Sequence, residues 1–241
     1  MKREHYQAMY RNELTHWWYK ARRELVHKLI QEEFPNNTNL RILDIGCGTG
    51  ALTKELEQYG EVVGVDFSSD AVEYCKQRGL NNVQQGSAEA TGCMPESFDI
   101  VLCLDVLEHL KEDTKGIMEI KRVLKEGGIT IVFVPTFMFL WGDADETSHH
   151  FIRYRLPELV QKFSANAFTV KFNSYFNTLL FFPIAIVRIF SRIFHFDLHS
   201  EIGTGNGLFN KIFYKIFSFE RIILKHTRMP FGVSGMIIAK K

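Results

Sequence analysis

The stretch Arg41-Ile-Leu-Asp-Ile-Gly-Cys-Gly-Thr-Gly50 decides the fold. Arg41 to Ile45 reads as a buried strand breaking into a glycine-rich turn, and the turn opens a helix over Thr49 to Gln58. Glycines at alternate positions let a ligand come close to the backbone, because no Cβ stands in the way. The helix that follows aims its unpaired N–H groups and the positive end of its dipole at the same place. Asp44, at the strand's carboxyl end, accepts hydrogen bonds from a cationic or hydroxyl-bearing group. The stretch is a cofactor cradle, and alone it leaves the cofactor open. Gly46, Gly48 and Ala51 also satisfy the dinucleotide pattern G-x-G-x-x-G/A, with Asp66 at about the twenty-residue interval of a ribose carboxylate. A nicotinamide or flavin oxidoreductase is thus an alternative at this point, as is a structural turn without ligand.

Three further segments narrow the choice. Glu61-Val-Val-Gly-Val-Asp66 is a second apolar strand ending in an acid placed to take both ribose hydroxyls. Val83 to Glu89 is a short third strand whose end, Ser87, Ala88 and Glu89, lines an adenine ring. Phe98 to His109 is a fourth strand running into Asp105, Glu108 and His109. Together with DIGCGTG (44–50), VVGVDFS (62–68), GSAEA (86–90), FDIVLCLDVLEHL (98–110) and RVLKEGGITIVFVP (122–135), the chain resembles the class I S-adenosylmethionine (SAM)-dependent methyltransferases. Any one of these pieces is weak, and five in the family's order are strong.

The resemblance implies a Rossmann-like, doubly wound α/β fold with a seven-stranded, mostly parallel sheet whose last strand is antiparallel. It implies that Asp44, Gly46 and Gly48 surround the methionine moiety and ribose, that Asp66 is the ribose-binding acid, and that Phe67 covers the adenine. Ser87 stands where the family often has Asp, so Ala88 and Glu89 take a larger share of the adenine contact. Leu104 and Asp105 match strand-end residues that face the sulfonium. The chemistry fits these roles: an acid chelates a diol, bare backbone admits a flat adenosine, and carboxylates tolerate a sulfonium charge.

At 241 residues the chain is read as one large α/β domain. Its parts are an N-terminal helical cover (1–38), a SAM-binding core (39–176), a helical insertion (177–231) and the last strand (232–241). Lys plus Arg (29) nearly equals Asp plus Glu (28), so no bulk electrostatic case for a nucleic-acid partner exists. The four cysteines lack Cys-x-x-Cys spacing, as expected of reduced thiols in a cytoplasmic protein. The start is charged and polar rather than an apolar leader.

Alternating strand and helix signals run from Arg41 to Phe176. Ser69 caps a helix that reaches Arg78 and stops at Gly79; a second helix spans Lys115 to Lys125, and Gly127-Gly128 turn it into a strand over Gly128 to Val134. Arg155-Leu-Pro-Glu opens a further helix, Phe168 to Tyr175 is the sixth strand, and Val233 to Ala239 the seventh. Outside this core, Thr15 to Ile30 is an amphipathic helix that starts with Trp17, Trp18 and Tyr19. The aromatic start either packs over the cofactor cleft, with Arg22 in reach of the methionine carboxylate, or is simply core. This opening resembles that of a bacterial branch of the family linked with glycan or other secondary biosynthesis.

The insertion carries an apolar run, Thr178 to Val187, that continues with helical spacing, then a loop (His199 to Gly207), then a lysine-interrupted stripe from Leu208 to Phe217. The uncharged part falls short of the roughly 20 residues that span a bilayer. Two readings stay open: a helical lid over the acceptor pocket, or an interfacial pair, 178–217, in peripheral contact with the inner membrane face and a lipid-linked acceptor.

A methyltransferase must align its acceptor and, for a hydroxyl, remove a proton. Histidine suits the second task. His150 is the first candidate for general base, His109 the second and His149 the third. The loop Leu140 to Tyr154 that holds two of them resembles a loop of the same branch, with Ala144 in place of its usual His. A plainer alternative has His149 and His150 only fixing this loop through Asp143 or Asp145. Asp105-x-x-Glu108-His109 also resembles a divalent-metal cluster of quinone- and RNA-end-modifying relatives, although Asp replaces the first Glu; no metal is assigned. The expected function is SAM-dependent methyl transfer to an oxygen of a small-molecule or lipid-linked acceptor. The alternatives are N-methylation, metal-assisted O-methylation, an NAD(P)-dependent oxidoreductase and a non-catalytic SAM-binding protein.

Overall fold

The computed structural model describes residues 3–194 and 207–241. Its elements in chain order are α1 (Arg3–Asn12), α2 (Trp17–Glu33), β1 (Leu40–Ile45), α3 (Ala51–Leu56), β2 (Gly60–Asp66), α4 (Ser69–Gln77), β3 (Val83–Gln85) and β4 (Phe98–Leu104). There follow α5 (Asp113–Val123), β5 (Leu124–Pro135), α6 (Asp143–Thr147), α7 (Leu156–Ala165), β6 (Thr169–Phe176), α8 (Phe181–Phe194), α9 (Leu208–Ile223) and β7 (Ser234–Lys240).

The seven strands form one sheet in the order β3-β2-β1-β4-β5-β7-β6. Strands β1 to β5 pair in parallel, while β7 runs antiparallel to both β5 and β6. The mostly parallel sheet and its antiparallel last strand agree with the sequence reading. Because β7 slots between β5 and β6, the chain from 177 to 231 is an insertion between two neighbouring strands. The central strands are buried on both sides, which explains why Ile42, Leu43, Val101, Leu102, Ile131 and Val132 form apolar runs rather than an alternation. One face packs on α5 and α7 through Ile117, Ile120, Leu159 and Phe163. The other packs on α2 and α9 through Leu25, Leu29, Ile30, Phe217 and Leu224. Strand order reverses between β1 and β4, and open α/β sheets bind ligands outside the carboxyl ends of strands at such a point.

Several boundaries differ from the sequence reading for local reasons. The helix after the glycine turn starts at Ala51, not Thr49, because Gly50 holds a left-handed φ of 85° at the N-cap. It gives way to a 3₁₀ turn at Glu57. Ser68, not Ser69, is the cap of α4: its N–H is held by Asp66 Oδ1 at 2.9 Å, which keeps it extended. The third strand ends at Gln85, so Ser87, Ala88 and Glu89 lie in irregular chain beyond it. Helix α5 ends at Val123, and β5 starts at once rather than after Gly127-Gly128. Phe98 pairs with Leu124 and Ile100 with Ile129, so the two glycines sit in a bulge of the strand. The expected loop from His199 to Gly207 lies, Gly207 apart, outside the described residues.

Candidate active site

At the carboxyl ends of β1, β2 and β4 the glycine turn is pulled tightly to its neighbours. The Gly46 N–H donates to the Val65 carbonyl at 2.7 Å. A Cβ at Gly46 would stand 2.3 Å from Val106 Cγ2, and its φ of 73° is left-handed. Only glycine fits both demands. Asp66 holds the turn from the next strand, its Oδ2 accepting from the Gly48 N–H at 2.9 Å while Oδ1 takes Ser68. Each oxygen keeps a second lone pair, which suits two ribose hydroxyls. Burial pushes the Asp66 carboxyl above its ordinary value, against the pull of its two backbone donors. Phe67 follows directly and is 79% exposed, a cost justified where a flat ring can cover it.

Asp44 is buried and accepts from Thr53 Oγ1 at 2.7 Å. Burial pushes its pKa up to about 7, with the charges of Asp66 and Glu13 adding to the rise. Ser87 and Ala90 form an isolated bridge that curls the chain beyond β3, with Ala88 buried and Glu89 exposed.

Arg22, from α2, pairs with the Asp105 carboxylate at the end of β4, where Leu104 is half-buried. Asp105 itself takes a left-handed φ of 55°, a conformation Asp tolerates better than most residues and one that clusters at functional sites. The guanidinium lies 4.7 Å from the Trp18 ring and 5.1 Å from that of Phe133. Its buried Nη1 has no hydrogen-bond partner among the described residues. A buried donor of this kind is costly unless a ligand satisfies it, and a carboxylate would do so. The tryptophans themselves serve packing as well: Trp17 meets Phe213 and Phe217 of α9 at 5.5 and 6.4 Å, and Trp18 meets Phe217 at 6.2 Å.

What lies over the glycine turn is α1, within the segment 1–38 read from the sequence as a helical cover, where a helix was placed only over Thr15 to Ile30. Met9 Sδ is 3.1 Å from where a Gly48 Cβ would stand, and Tyr6 is buried near Asp66. Just past the helix, Glu13 accepts from Thr49 Oγ1 and pairs with Arg78. The signal was available, since Tyr6, Met9 and Tyr10 share one helical face.

The second half of the site is an acid-histidine cluster. His150 Nδ1 lies 2.8 Å from Asp145 Oδ1. Asp145 is fully buried and also receives Arg153 Nε at 2.8 Å and the Gly142 N–H at 2.9 Å, with Arg188 Nη1 of α8 at 3.3 Å. Burial alone would raise the Asp145 pKa, but the His150 hydrogen bond and the Arg153 charge outweigh it and bring it down to about 2. An ionised Asp145 only accepts, so Nδ1 of His150 is the donor in this hydrogen bond and Nε2 is the ring nitrogen left for an acceptor molecule.

The His109 ring stands 4.6 Å from that of His150, nearly perpendicular at 82°. Burial, and then the neighbouring His150, push the His109 pKa down to about 4. Glu108 beside it is fully buried and neither carboxylate oxygen has a hydrogen-bond partner among the described residues. Burial, aided by Asp105, holds its pKa well above the ordinary value. Glu108, His109 and His150 bring one ligand atom each within 4.8 Å of one another. His149 does not join them: it is exposed, at a left-handed φ of 59°. Of the two acids offered as its partners, Asp145 faces His150 and Asp143 is exposed. Arg153 falls in the part of the loop that resembles the same branch, whereas Arg188 carried no sequence signal for this role.

A buried histidine with a depressed pKa destabilises the acid fold. Its stabilising contribution is complete above the unfolded value of 6.5 and is lost as pH falls through about 4. In metal-free buffer, His109→Asn should therefore lose less stability than the wild type between those two limits. The expected difference is about 3 kcal/mol at most, read from denaturant midpoints across the pH range. Identical pH dependence would show that His109 titrates normally in the fold.

Residues 43–132 match the family model described as a methyltransferase domain. A ubiquinone biosynthesis O-methyltransferase of Haemophilus ducreyi is 34% identical over 100 residues, covering 37% of this chain and 42% of that protein. An uncharacterized methyltransferase, YcgJ of Bacillus subtilis, is 32% identical over 144 residues, 56% of this chain and 55% of that one. The matched stretches thus span about half the length of these curated relatives. A SAM-dependent methyltransferase from Archaeoglobus fulgidus superposes with a TM-score of 0.57 at 19% identity, over 91% of this chain and 94% of that one, which shows a shared fold. Residues 43–132 thus match a methyltransferase domain, and the order of the sheet, with the cradle at its switch point, is a fold shared with SAM-dependent methyltransferases.

Proposed function

We propose that the chain methylates a hydroxyl of a small-molecule or lipid-linked acceptor, with His150 as general base. One observation carries this reading: the buried, ionised Asp145 pins Nδ1 of His150 and leaves Nε2 as a proton acceptor. Bound SAM supplies a methyl group already activated by its sulfonium. The protein's share is to hold and to deprotonate. Asp66 binds the ribose hydroxyls, Phe67 covers the adenine, and Asp44, Gly46 and Gly48 receive the ribose and methionine. Ser87, Ala88 and Glu89 border the adenine, Arg22 and Trp18 the methionine end, and Leu104 and Asp105 the sulfonium. His150 Nε2 takes the hydroxyl proton as the acceptor oxygen attacks, a contribution of about 10²–10⁴-fold where such catalysis operates. Oxygen as the methylated atom is also favoured by the name of the Haemophilus relative.

A second reading is favoured by Glu108. A buried carboxylate with both oxygens unsatisfied, beside two histidines, is a donor set that suits a divalent cation. There Glu108, His109 and His150 would hold the ion, Asp145 would orient His150 from behind, and the ion would lower the pKa of an acceptor hydroxyl.

Transfer of labelled methyl from SAM into a fractionated cell extract tests both, with and without a chelator. Label in a base-stable methyl ether, unaffected by chelation, is expected for the histidine base. Activity lost on chelation and restored by a divalent ion would assign the cluster to a metal. Label on an amine would overturn O-methylation.

A further inference from the structure

Helix α9 is apolar on two opposite sides. Its inner side, Phe213, Phe217 and Leu224, packs on α2 and β6, with Phe217 nearly fully buried. At 3.6 residues per turn, Leu208, Ile212, Phe219 and Ile222 project from the side opposite Phe217, and each is exposed; Phe219 is 58% exposed and Ile222 57%. Helix α8 repeats the pattern. Phe181, Ala185 and Arg188 face inward, whereas Phe182, Ile186, Ile189 and Phe190 are all exposed. Exposed apolar groups so many and so close in sequence are not expected on a protein surface that only water covers.

Among the described residues, the exposed charges of these two helices and their ends have one sign. Arg192, Lys211, Lys215 and Lys225 are exposed. The only acid among the described residues from 177 to 231 is Glu220, which is buried and accepts the N–H groups of Thr178 and Leu179 at the start of α8. Lys215 stands within the apolar stripe of α9, between Ile212 and Phe219. Neither helix is long and apolar enough to cross a bilayer. An apolar face with lysines and arginines at its edges, and no exposed carboxylate, is the pattern of a helix lying in the plane of a membrane interface.

We infer that the outer faces of α8 and α9 form a docking surface for an anionic lipid membrane. The phenylalanine and isoleucine side chains enter the boundary between headgroups and acyl chains, and the lysines and arginine meet lipid phosphates. A second copy of the chain is the poorer occupant. A two-fold pairing centred on the outer stripe of α9 would bring Lys215 against the same residue of the partner, with no exposed acid on that helix to offset them. The inference goes beyond the proposed reaction and stands whether or not the acceptor is lipid-linked.

Sedimentation of the full chain with vesicles tests it, comparing phosphatidylcholine alone with a mixture containing about a third of phosphatidylglycerol. Each cation near an anionic surface contributes about 1 kcal/mol, about fivefold in affinity. Binding should therefore be strong to the mixed vesicles, weak to the neutral ones and reduced by salt. Phe219→Glu with Ile222→Glu should abolish it, and Lys215→Glu should weaken it about tenfold or more. Both variants should bind S-adenosylhomocysteine as the wild type does, since none of the three residues touches the cofactor cradle. No preference for anionic vesicles would overturn the inference, as would binding that survives the double variant. A dimer in vesicle-free buffer that the same double variant dissociates would assign the surface to a second copy instead.

Discussion

His150→Ala should cut turnover by about 100-fold or more while leaving S-adenosylhomocysteine affinity unchanged. The expectation rests on division of labour within the site. His150 is fixed by Asp145 and lies beside His109, whereas the cradle for the cofactor is built from the ends of β1 and β2. Loss of the imidazole removes the proposed proton acceptor without touching Asp66 or the glycine turn. It also separates this histidine from its neighbour: His109, pushed down to a pKa of about 4, is too weak a base to replace it well near neutrality. Steady-state transfer of labelled methyl gives turnover, and calorimetry gives affinity. Asp145→Ala is the less clean variant, because it strands Arg153 and Arg188 against a site that has lost its charge. Full activity of His150→Ala would pass the role to His109 or to simple alignment of the acceptor.

Asp66→Ala should weaken S-adenosylhomocysteine binding by about 100-fold, from the loss of two charge-assisted hydrogen bonds of roughly 1.5–3 kcal/mol each, partly offset by water. A second loss adds to the first, since the Gly48 and Ser68 N–H groups lose their acceptor and the turn loosens. Asp66→Asn keeps one carbonyl acceptor and should fall between the two. Calorimetric titration of both variants, with thermal unfolding as the check on folding, reads the effect. Affinity equal to that of the wild type in Asp66→Ala would mean that the ribose is held elsewhere.

The sheet was legible because its evidence is local and repetitive. Apolar runs such as Ile42 to Ile45 and Ile129 to Val134 fill strands buried on both faces, and the Gly46-x-Gly48 turn has few other uses. Boundaries failed where a side chain far along the chain sets them. Asp66 fixes Ser68 as the cap of α4, and the pairing of Phe98 with Leu124 starts β5 before its glycines. The cofactor half of the site was readable as a list of types at strand ends. The cover was read only as a helical segment over 1–38; that Met9 of α1, and Glu13 just past it, meet the glycine turn is a long-range contact with no motif of its own. On the acceptor side, sequence offered three histidines with nothing to rank them by geometry. The structure buries Asp145 beside His150 and turns His149 to solvent, which is the basis for proposing His150. Arg188 reaches Asp145 from a helix 43 residues further along the chain, a separation that no local pattern encodes.

The measurement that tests the account most directly is a calorimetric titration of the wild-type chain with S-adenosylhomocysteine, set against NADH, because the glycine turn by itself admits either a SAM-type or a dinucleotide ligand. One-to-one binding of S-adenosylhomocysteine in the micromolar range, weakened about 100-fold in Asp66→Ala, and no heat with NADH is the predicted result. Tight binding of NADH with none of S-adenosylhomocysteine would contradict it.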